Sequence, residues 1–407
     1  MRLFRLALAV CLATLALASP AEAQRIELAG RVTASRTVLA QRRIGEPRYI
    51  AISDLFYRDR NAYVEVLDLA TQRVVAIKAK RSLFERRFGG GRPGVPLAEI
   101  AAFRDGVVGL AVTEPGASHR VWYAELEAQS GKLLRSVYLA SAGEGGQVQI
   151  VGAEPAGTGV WFAITERAAR GRSLTLRRLD LSSFETDDEQ PIALAVRAPR
   201  GSREHAVRVH AAADFSRFAV VEYVEDGVAM APGRVIIVDK RSASGGGDPT
   251  GSAGGAGGKA PRGVDVAGDT SFGVPAPATT YGVAFAPDGK YIYLGSAQRG
   301  TIARVDLTTR RIDKQVAAPR NLHHLVVSES GTKLFALATS STYAVYDLPD
   351  LKARTDIVHA AGIAPAMATL HGDGIASLDG AFFVVPDTED RRALPRDRTY
   401  VIARLVE

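Results

Sequence analysis

The chain has 407 residues, a formal net charge of +7 at pH 7 and 46% hydrophobic residues, enough for a sizeable core. Its only cysteine, Cys11, lies in a segment that we expect to be removed. The mature protein is then expected to have no disulfide, no thiolate nucleophile and no cysteine-ligated metal. The basic excess lies in short clusters beside acidic residues, and no nucleic-acid partner is expected for such a chain.

Residues 1–23 have the three parts of a secretory signal: two arginines, a short apolar run and the small-residue site Ala21-Glu22-Ala23. We expect cleavage after Ala23, which leaves residues 24–407 as a single domain in the bacterial periplasm. The apolar run is shorter than the about 20 residues that span a bilayer. No other segment approaches that length, so we expect no membrane span after cleavage.

The mature N-terminus, Gln24–Val32, is strand-like and belongs to none of the repeats described next. The chain ends directly after the third strand of its last repeat, which leaves that repeat without an outer strand. Open strand edges promote aggregation and are usually covered. We therefore predict that the N-terminal strand pairs with residues 399–406 and closes a ring.

One pattern recurs along the chain: a β-rich run, an acidic residue, an apolar residue, a turn and another β-rich run. The acidic position is occupied successively by Asp68, Glu125, Asp180, Asp239, Asp306 and Asp347, with Val406 in a degraded seventh copy. Two further strand-like runs precede each copy. Seven units of four short strands, with almost no helical periodicity, predict an all-β, seven-bladed β-propeller with WD40-like repeats.

Residues 242–261 form a Gly-rich insert after the third strand of the fourth repeat. Its composition predicts a flexible surface loop, because it holds too little apolar surface to pack. The run at 262–269 that follows could supply the outer strand of this repeat.

The fifth and sixth repeats show the strand pattern most clearly. Residues Tyr281–Ala297 contain the turn Pro287-Asp288-Gly289, in which glycine takes the left-handed position that closes a hairpin. Residues Leu322–Ala338 repeat the arrangement, with Gly331 at the position of Gly289.

No catalytic or nucleotide-binding motif is present. The pair Gly258-Lys259 lacks the glycine and the Ser or Thr of a phosphate-binding loop, since Ala253 and Ala260 stand there. No GxSxG and no HExxH sequence occurs. We therefore expect no metal and no cofactor.

The best candidates for a ligand site lie on first strands, which line the central channel of a propeller. The adjacent histidines His323 and His324 lie at the start of the sixth repeat. When Gly331 is aligned with Gly289, His323 takes the position of Tyr281 and His324 that of Gly282. His205 and His371 fall on or near the first strands of the fourth and seventh repeats. The candidate ligand-binding residues are Arg320, Asn321, His323, His324, Tyr281, His205 and His371.

The run PDGKYIYLGS followed by TIARVDLTTRRI resembles the YVTN-repeat propellers, which include the YncE-like periplasmic proteins. This resemblance implies a seven-bladed ring and export, and no single function. Propeller lactonases resemble the stretch Pro319–His324, although Asn321 stands where their histidine follows Pro-Arg. The scaffold subunits of periplasmic quinoprotein amine dehydrogenases have a similar blade pattern.

The leading hypothesis is a non-catalytic periplasmic module that binds a protein or a small ligand on one face of the ring. One alternative is a lactonase-like hydrolase acting at the channel mouth through Arg320, Asn321 and His323. The other is a scaffold subunit of a quinoprotein dehydrogenase or electron-transfer system.

Overall fold

A computed structural model describes most of the repeat region. The described residues are 25–34, 43–46, 48–89, 94–116, 120–143, 146–168, 171–188, 192–194, 204–225, 235–239, 271–274, 276, 280–297, 299–320, 322–328, 330–338, 343–354, 358–359, 375–376, 382–386 and 398–406. The signal and the Gly-rich insert predicted from the sequence lie outside these ranges. Within them, no helix has the length and apolar character to cross a membrane.

Almost all described residues in regular structure are in strands. The first thirteen are β1 Arg25–Ala34, β2 Tyr49–Arg58, β3 Asn61–Asp68, β4 Arg73–Lys80, β5 Leu97–Arg104, β6 Val107–Thr113, β7 Arg120–Glu127, β8 Leu133–Ser141, β9 Gln147–Ala153, β10 Gly159–Ala168, β11 Gly171–Asp180, β12 Thr186–Asp188 and β13 Ile192–Leu194. The others are β14 Glu204–Ala211, β15 Arg217–Glu225, β16 Val235–Asp239, β17 Ser271–Val274, β18 Thr280–Phe285, β19 Tyr291–Ser296, β20 Thr301–Asp306, β21 Arg311–Ala317, β22 Leu322–Val327, β23 Lys333–Ala338, β24 Tyr343–Asp347, β25 Lys352–Ala353, β26 Val358–His359, β27 Ile375–Ala376, β28 Phe382–Pro386 and β29 Arg398–Val406. One helix, α1, spans Arg81–Phe88.

The strands of the described residues form seven sheets, which we number in chain order. Sheet one contains β2–β4, sheet two β5–β8, sheet three β9–β13, sheet four β14–β17, sheet five β18–β21 and sheet six β22–β25. Sheet seven has the order β26-β1-β29-β28-β27. Sheets two, four, five and six are four-stranded antiparallel meanders, as the repeat pattern predicts.

Sheet seven joins the two ends of the described chain. β1 runs antiparallel to β29, from the pair Arg25–Val406 to the pair Ala34–Arg398, with a register shift between Leu28 and Gly30. The predicted pairing of the N-terminal and C-terminal strands is therefore present. β26 adds a short parallel partner on the other side of β1.

The apolar core consists of separate clusters between neighbouring sheets. Consecutive sheets from one to six share five clusters, each built from buried side chains of two sheets. A sixth cluster joins sheet seven to sheet one, with Val32 of β1 and Ile402 of β29 packed beside Ile50 and Leu67. Face-to-face packing of successive sheets follows from strands that are apolar on both faces.

In three of the repeats the acidic residue is structural, because its carboxylate stabilises the turn that follows its strand. Asp68 accepts the amide N–H of Ala70 at 2.9 Å, and Asp306 accepts those of Thr308 and Thr309 at 2.8 Å. Asp180 caps its turn in the same way. These contacts are Asx turns, for which a short carboxylate is suited.

The second repeat departs from the predicted pattern by two residues. β7 continues to Glu127, which pairs with Val107 as Asp68 pairs with Tyr49. Glu127 thus takes the acidic position, whereas Glu125 lies inside the strand and is buried. The acidic-apolar spacing is identical at both glutamates, so the sequence pattern alone selected the wrong one.

Two other elements differ from the sequence prediction. In sheet four, the outer strand paired with β16 is Ser271–Val274, while residues 262–269 are not described. The helix α1 follows β4, and its buried Phe84 and Phe88 pack between sheets one and two. Eight residues carry too short a periodicity to reveal a helix that is stabilised mainly by this packing.

Candidate functional site

The first strands of several sheets carry polar side chains between buried apolar neighbours. In β14, Val207 and Val209 are buried in the cluster shared with sheet three, while Arg208 and His210 alternate with them. Successive side chains of a strand point to opposite faces. In β14 the face with Arg208 and His210 is turned toward sheet five, beside Ala219 and Val221, and it borders a space between the sheets.

That space is a cavity of about 640 Å³ bounded by β5, β9, β14, β18 and β22. Its polar lining comprises Arg43, Glu99, Gln147, Gln149, Arg208, His210, Tyr281 and His324. Volumes of this size are typical of small-molecule sites. The residues come from positions almost 300 apart in sequence, because each first strand contributes one or two of them.

Gln149 fixes the spacing of two of these strands. Its side-chain Nε2 donates to the carbonyl oxygen of Val209 at 3.1 Å, and its Oε1 accepts the amide N–H of Val209 at 3.0 Å. The side chain thus replaces a backbone partner for β14. Its role is structural, since both ends of the amide are engaged.

Arg208 lies on the regular strand β14 and contributes a positive charge to the cavity wall. The Cζ atom of its guanidinium lies 5.8 Å from the ring centroid of Tyr281, close enough for a cation–π contact. Arg208 is itself exposed to the cavity. The aromatic ring limits the positions that the guanidinium can occupy.

His210 lies two residues further along β14, on the same face. Burial, with a smaller contribution from the charge of Arg208, lowers the pKa of His210 to about 4. The ring is therefore neutral at pH 7. Within the described part of the chain, its buried Nε2 atom makes no hydrogen bond.

Arg43 reaches the cavity from outside the regular strands. Its carbonyl oxygen accepts the amide N–H of Ala153 at 2.8 Å, and the next carbonyl, of Ile44, accepts that of Phe103 at 2.5 Å. These bonds tie the segment 43–46 to the ends of β9 and β5. Ile44 is fully buried, which anchors the segment and places Arg43 in the wall.

Two of the seven candidate site residues predicted from the sequence line the cavity. Tyr281 and His324 both line the cavity, whereas Arg320 is exposed and is not among the residues described in its wall. His323 and His205 lie on β22 and β14, but their side chains are outside the described part of the structure, as are Asn321 and His371 altogether.

Tyr281 and His324 line one cavity from unlike positions of their repeats, although both strands begin with the same register shift. The pairing in β22 shifts between Leu322 and His324, and the pairing in β18 shifts between Thr280 and Gly282. His324 is thus equivalent to Gly282, as the alignment of the two repeats predicted. His324 is buried, at 7% exposure.

Six polar lining residues were not selected from the sequence: Arg43, Glu99, Gln147, Gln149, Arg208 and His210. All except Arg43 lie on first strands, where polar residues alternate with apolar ones, as in QVQIV and VRVH. The described residues contain no group of three or more His, Cys, Asp or Glu side chains suited to hold a metal ion.

Comparison with solved structures identifies the architecture. A chain in the crystal structure of a mitotic checkpoint complex aligns over 93% of this chain and 92% of its own length, with a TM-score of 0.52. Together with the sheet arrangement, this likeness shows the fold. The chain is a β-propeller.

The same comparison leaves the function open, because only 11% of the aligned residues are identical. No protein-family model and no curated protein matches the chain. The propeller fold hosts many unrelated activities. The role of this propeller must therefore be argued from its own cavity and surface.

Proposed function

We propose that this propeller has seven blades in a closed ring, with β1 supplying the fourth strand of the last blade, next to β29. The proposal is supported by the six shared clusters, one of which joins the first and last sheets. It is also supported by the nine residue pairs between β1 and β29. A ring has no free sheet faces, which agrees with apolar side chains on both faces of the strands.

Substitution in β1 tests the closure. Val32→Asp places a charge in the cluster between sheets seven and one, whereas Thr33→Asp changes an exposed neighbour of similar strand propensity. Hydrogen exchange should accelerate at β28, β29 and β2 only in Val32→Asp. Equal protection in the two variants would show that the closing contact does not support the last blade.

We propose that residues 1–23 direct export and that the propeller works in the periplasm. The arginine pair, apolar run and Ala21-Glu22-Ala23 site support this location. N-terminal sequencing of the protein from a periplasmic fraction should begin at Gln24. Recovery of an intact Met1 in the cytoplasm would contradict the proposal.

We infer that the function is to bind, without turnover, a small ligand in the axial cavity. The observation that carries this inference is the polar cavity of about 640 Å³ on the first strands, with Arg208 held beside Tyr281. The cavity is far too small for a folded partner and suits a metabolite-sized molecule. The chain also lacks a recognisable catalytic motif, which favours binding over hydrolysis.

A substitution that fills the cavity with a larger side chain tests the binding function. Gln147→Trp introduces an indole at an exposed lining position, and Gln129→Trp makes the same change in an exposed turn of sheet two. A panel of neutral sugars, amines, carboxylates and lactones is screened by thermal shift, and hits are measured by calorimetry. A hit should lose at least about tenfold in affinity, 1.4 kcal/mol, in Gln147→Trp alone.

Three results would contradict the binding function: no compound of any class binds, binding is equal in the two tryptophan variants, or a bound lactone is opened by the wild-type protein. The last result would restore the hydrolase alternative.

We also propose that β8, the edge strand of sheet two, contacts a protein partner. Leu134 and Tyr138 of β8 are 46% and 42% exposed, and Tyr138 stacks edge-on against Trp122 with centroids 5.5 Å apart. Exposed aromatic and aliphatic side chains in one patch mark interaction surfaces. A dehydrogenase or electron-transfer subunit would be one such partner.

Quantitative crosslinking in the periplasm tests this second role. Tyr138→Ser should reduce one crosslinked species severalfold, whereas Ile312→Ser, at an exposed apolar position on sheet five, should not. An unchanged crosslinking pattern in Tyr138→Ser would contradict it.

A further inference from the structure

The charge of the cavity wall restricts the class of ligand that it can hold. Two of its lining side chains are always cationic, Arg43 and Arg208, and one is acidic, Glu99. His210 adds no charge at pH 7 because burial keeps its ring neutral. The described lining side chains thus carry one excess positive charge, which attracts an anion and repels a cation.

The geometry of Arg208 favours an oxygen anion with two equivalent oxygens. A guanidinium has five N–H donors in a fixed plane and binds a carboxylate through two parallel hydrogen bonds. The cation–π contact with Tyr281, at 5.8 Å, reduces the conformational freedom that binding would otherwise remove.

Arg43 approaches the same cavity from the segment 43–46, which is held by backbone bonds to Phe103 and Ala153. The two guanidinium groups are thus carried by different supports, a regular strand and an anchored segment. Such fixed donors lower the reorganisation needed to bind an anion.

The rest of the wall indicates what else the ligand carries. Gln147 is exposed to the cavity and offers both a donor and an acceptor, while Glu99 accepts only. A ligand with hydroxyl or amide groups beside its anionic group would satisfy both side chains. A doubly charged phosphate group would exceed the net positive charge of the wall.

We propose that the axial cavity binds a metabolite-sized monocarboxylate bearing further hydrogen-bonding groups, with its carboxylate between Arg43 and Arg208. This inference rests on the proposed binding function and specifies its ligand class. Glu99 and Gln147 then contact the polar groups at the other end of the molecule. The neutral His210 ring forms part of the wall without competing for the carboxylate.

Paired probes of equal shape test the ligand class. Calorimetry compares lactate, glycerate and 4-hydroxyphenylacetate with their primary amides, and includes inorganic phosphate and choline. At least one carboxylate should bind about tenfold or more tightly than its amide. Phosphate and choline should bind more weakly than that carboxylate.

Arginine variants locate the contact. Arg208→Gln and Arg43→Gln should each weaken the best carboxylate about tenfold or more and bring it close to its amide, while Arg208→Lys retains part of the preference. Arg86→Gln, on the exposed side of α1, is the matched control and should leave the affinity unchanged.

The experiments distinguish a wrong carboxylate assignment from a failure of the cavity to bind any ligand. If an amide, choline or phosphate binds at least as tightly as every carboxylate and Gln147→Trp abolishes that binding, the cavity binds ligands but the carboxylate assignment is wrong. If carboxylates bind equally well to wild type and Arg208→Gln, the assignment is also wrong. If no carboxylate binds at 10 mM, a concentration of roughly 100 times a typical Kd for a weak metabolite site, the assignment fails.

Discussion

Sheets two and three meet in an ionic network, whereas the axial cavity contains the same kinds of side chain around open space. In the network, the carboxylate of Glu125 accepts from Arg135 at 2.7 Å and from Arg104 at 3.4 Å. Both guanidinium groups also donate to the carbonyl oxygen of Leu181, in sheet three. Every charge there is directed at an atom of the protein.

The cavity differs because its cations face a volume that the chain does not fill. Arg208 is exposed, and Nε2 of His210 makes no hydrogen bond within the described residues. Buried polar groups are normally paired, so the unbonded Nε2 atom of His210 distinguishes this cavity from the network. The two regions teach that polar composition alone does not distinguish a joint between blades from a ligand site.

Breaking the network should have the largest effect. Glu125→Ala leaves Arg104 and Arg135 without their buried carboxylate, and we expect a loss of about 3–5 kcal/mol in unfolding free energy. Urea denaturation measures it. Glu127→Ala, at the exposed end of the same strand, should cost less than about 0.5 kcal/mol.

A loss in Glu125→Ala no larger than that in the Glu127 control would mean that the network contributes nothing beyond solvated charges. The joint between sheets two and three would then depend on its apolar cluster alone.

The sequence was informative where a local rule decides the structure. Pro287-Asp288-Gly289 forms the predicted turn, with Asp288 accepting the amide N–H of Lys290 and Gly289 at a φ of 67°. The strand–turn spacing likewise predicted the meander sheets, and the uncovered edge of the last repeat predicted the pairing of β1 with β29.

The cavity residues were harder to predict from the sequence, because they become neighbours only when the blades assemble. Glu99, Gln147 and Arg208 are each an ordinary polar residue in an apolar strand, and no short-range pattern links them. Arg43 belongs to a segment without strand character that is placed by bonds to two distant sheets. Such convergence is a property of tertiary packing and is not encoded in local spacing.

The ion pair of Glu154 and Arg178 allows the paired groups and the cavity to be compared through the pH dependence of stability. Both oxygens of Glu154 accept from Arg178, at 2.8 and 2.9 Å, and these bonds lower the pKa of Glu154 to about 2, with Thr158 and Trp161 as further donors. A carboxyl with a depressed pKa stabilises the fold above its unfolded pKa, and this stability is lost as pH falls toward 2. The loss amounts to about 3 kcal/mol.

Glu154→Gln should therefore show a weaker dependence of unfolding free energy on pH between about 4.5 and 2 than the wild type. Urea unfolding at several pH values measures the slope. Glu46→Gln, an exposed substitution, should leave the wild-type slope unchanged. A parallel slope in Glu154→Gln and wild type would show that the Arg178 bonds do not hold the carboxylate ionised.

His210 should give the smallest effect, in a different pH window. Its pKa is lowered by burial, so between its ordinary value of 6.5 and about 4 the unfolded chain binds a proton that the folded chain does not. Stability should thus decline as pH falls through this window and level off below it. The cavity beside the ring moderates the burial, and we expect about 1–3 kcal/mol.

Replacing the imidazole ring of His210 distinguishes its contribution to the pH dependence of stability from that of the Glu154–Arg178 pair. His210→Gln should flatten the stability curve between pH 6.5 and 4 while the acid loss due to Glu154, below pH 4.5, persists. Unfolding free energies measured at half-unit intervals resolve the two windows. If His210→Gln leaves the upper window unchanged, the ring protonates freely in the folded protein, and the cavity wall then carries an additional positive charge that strengthens its preference for anions.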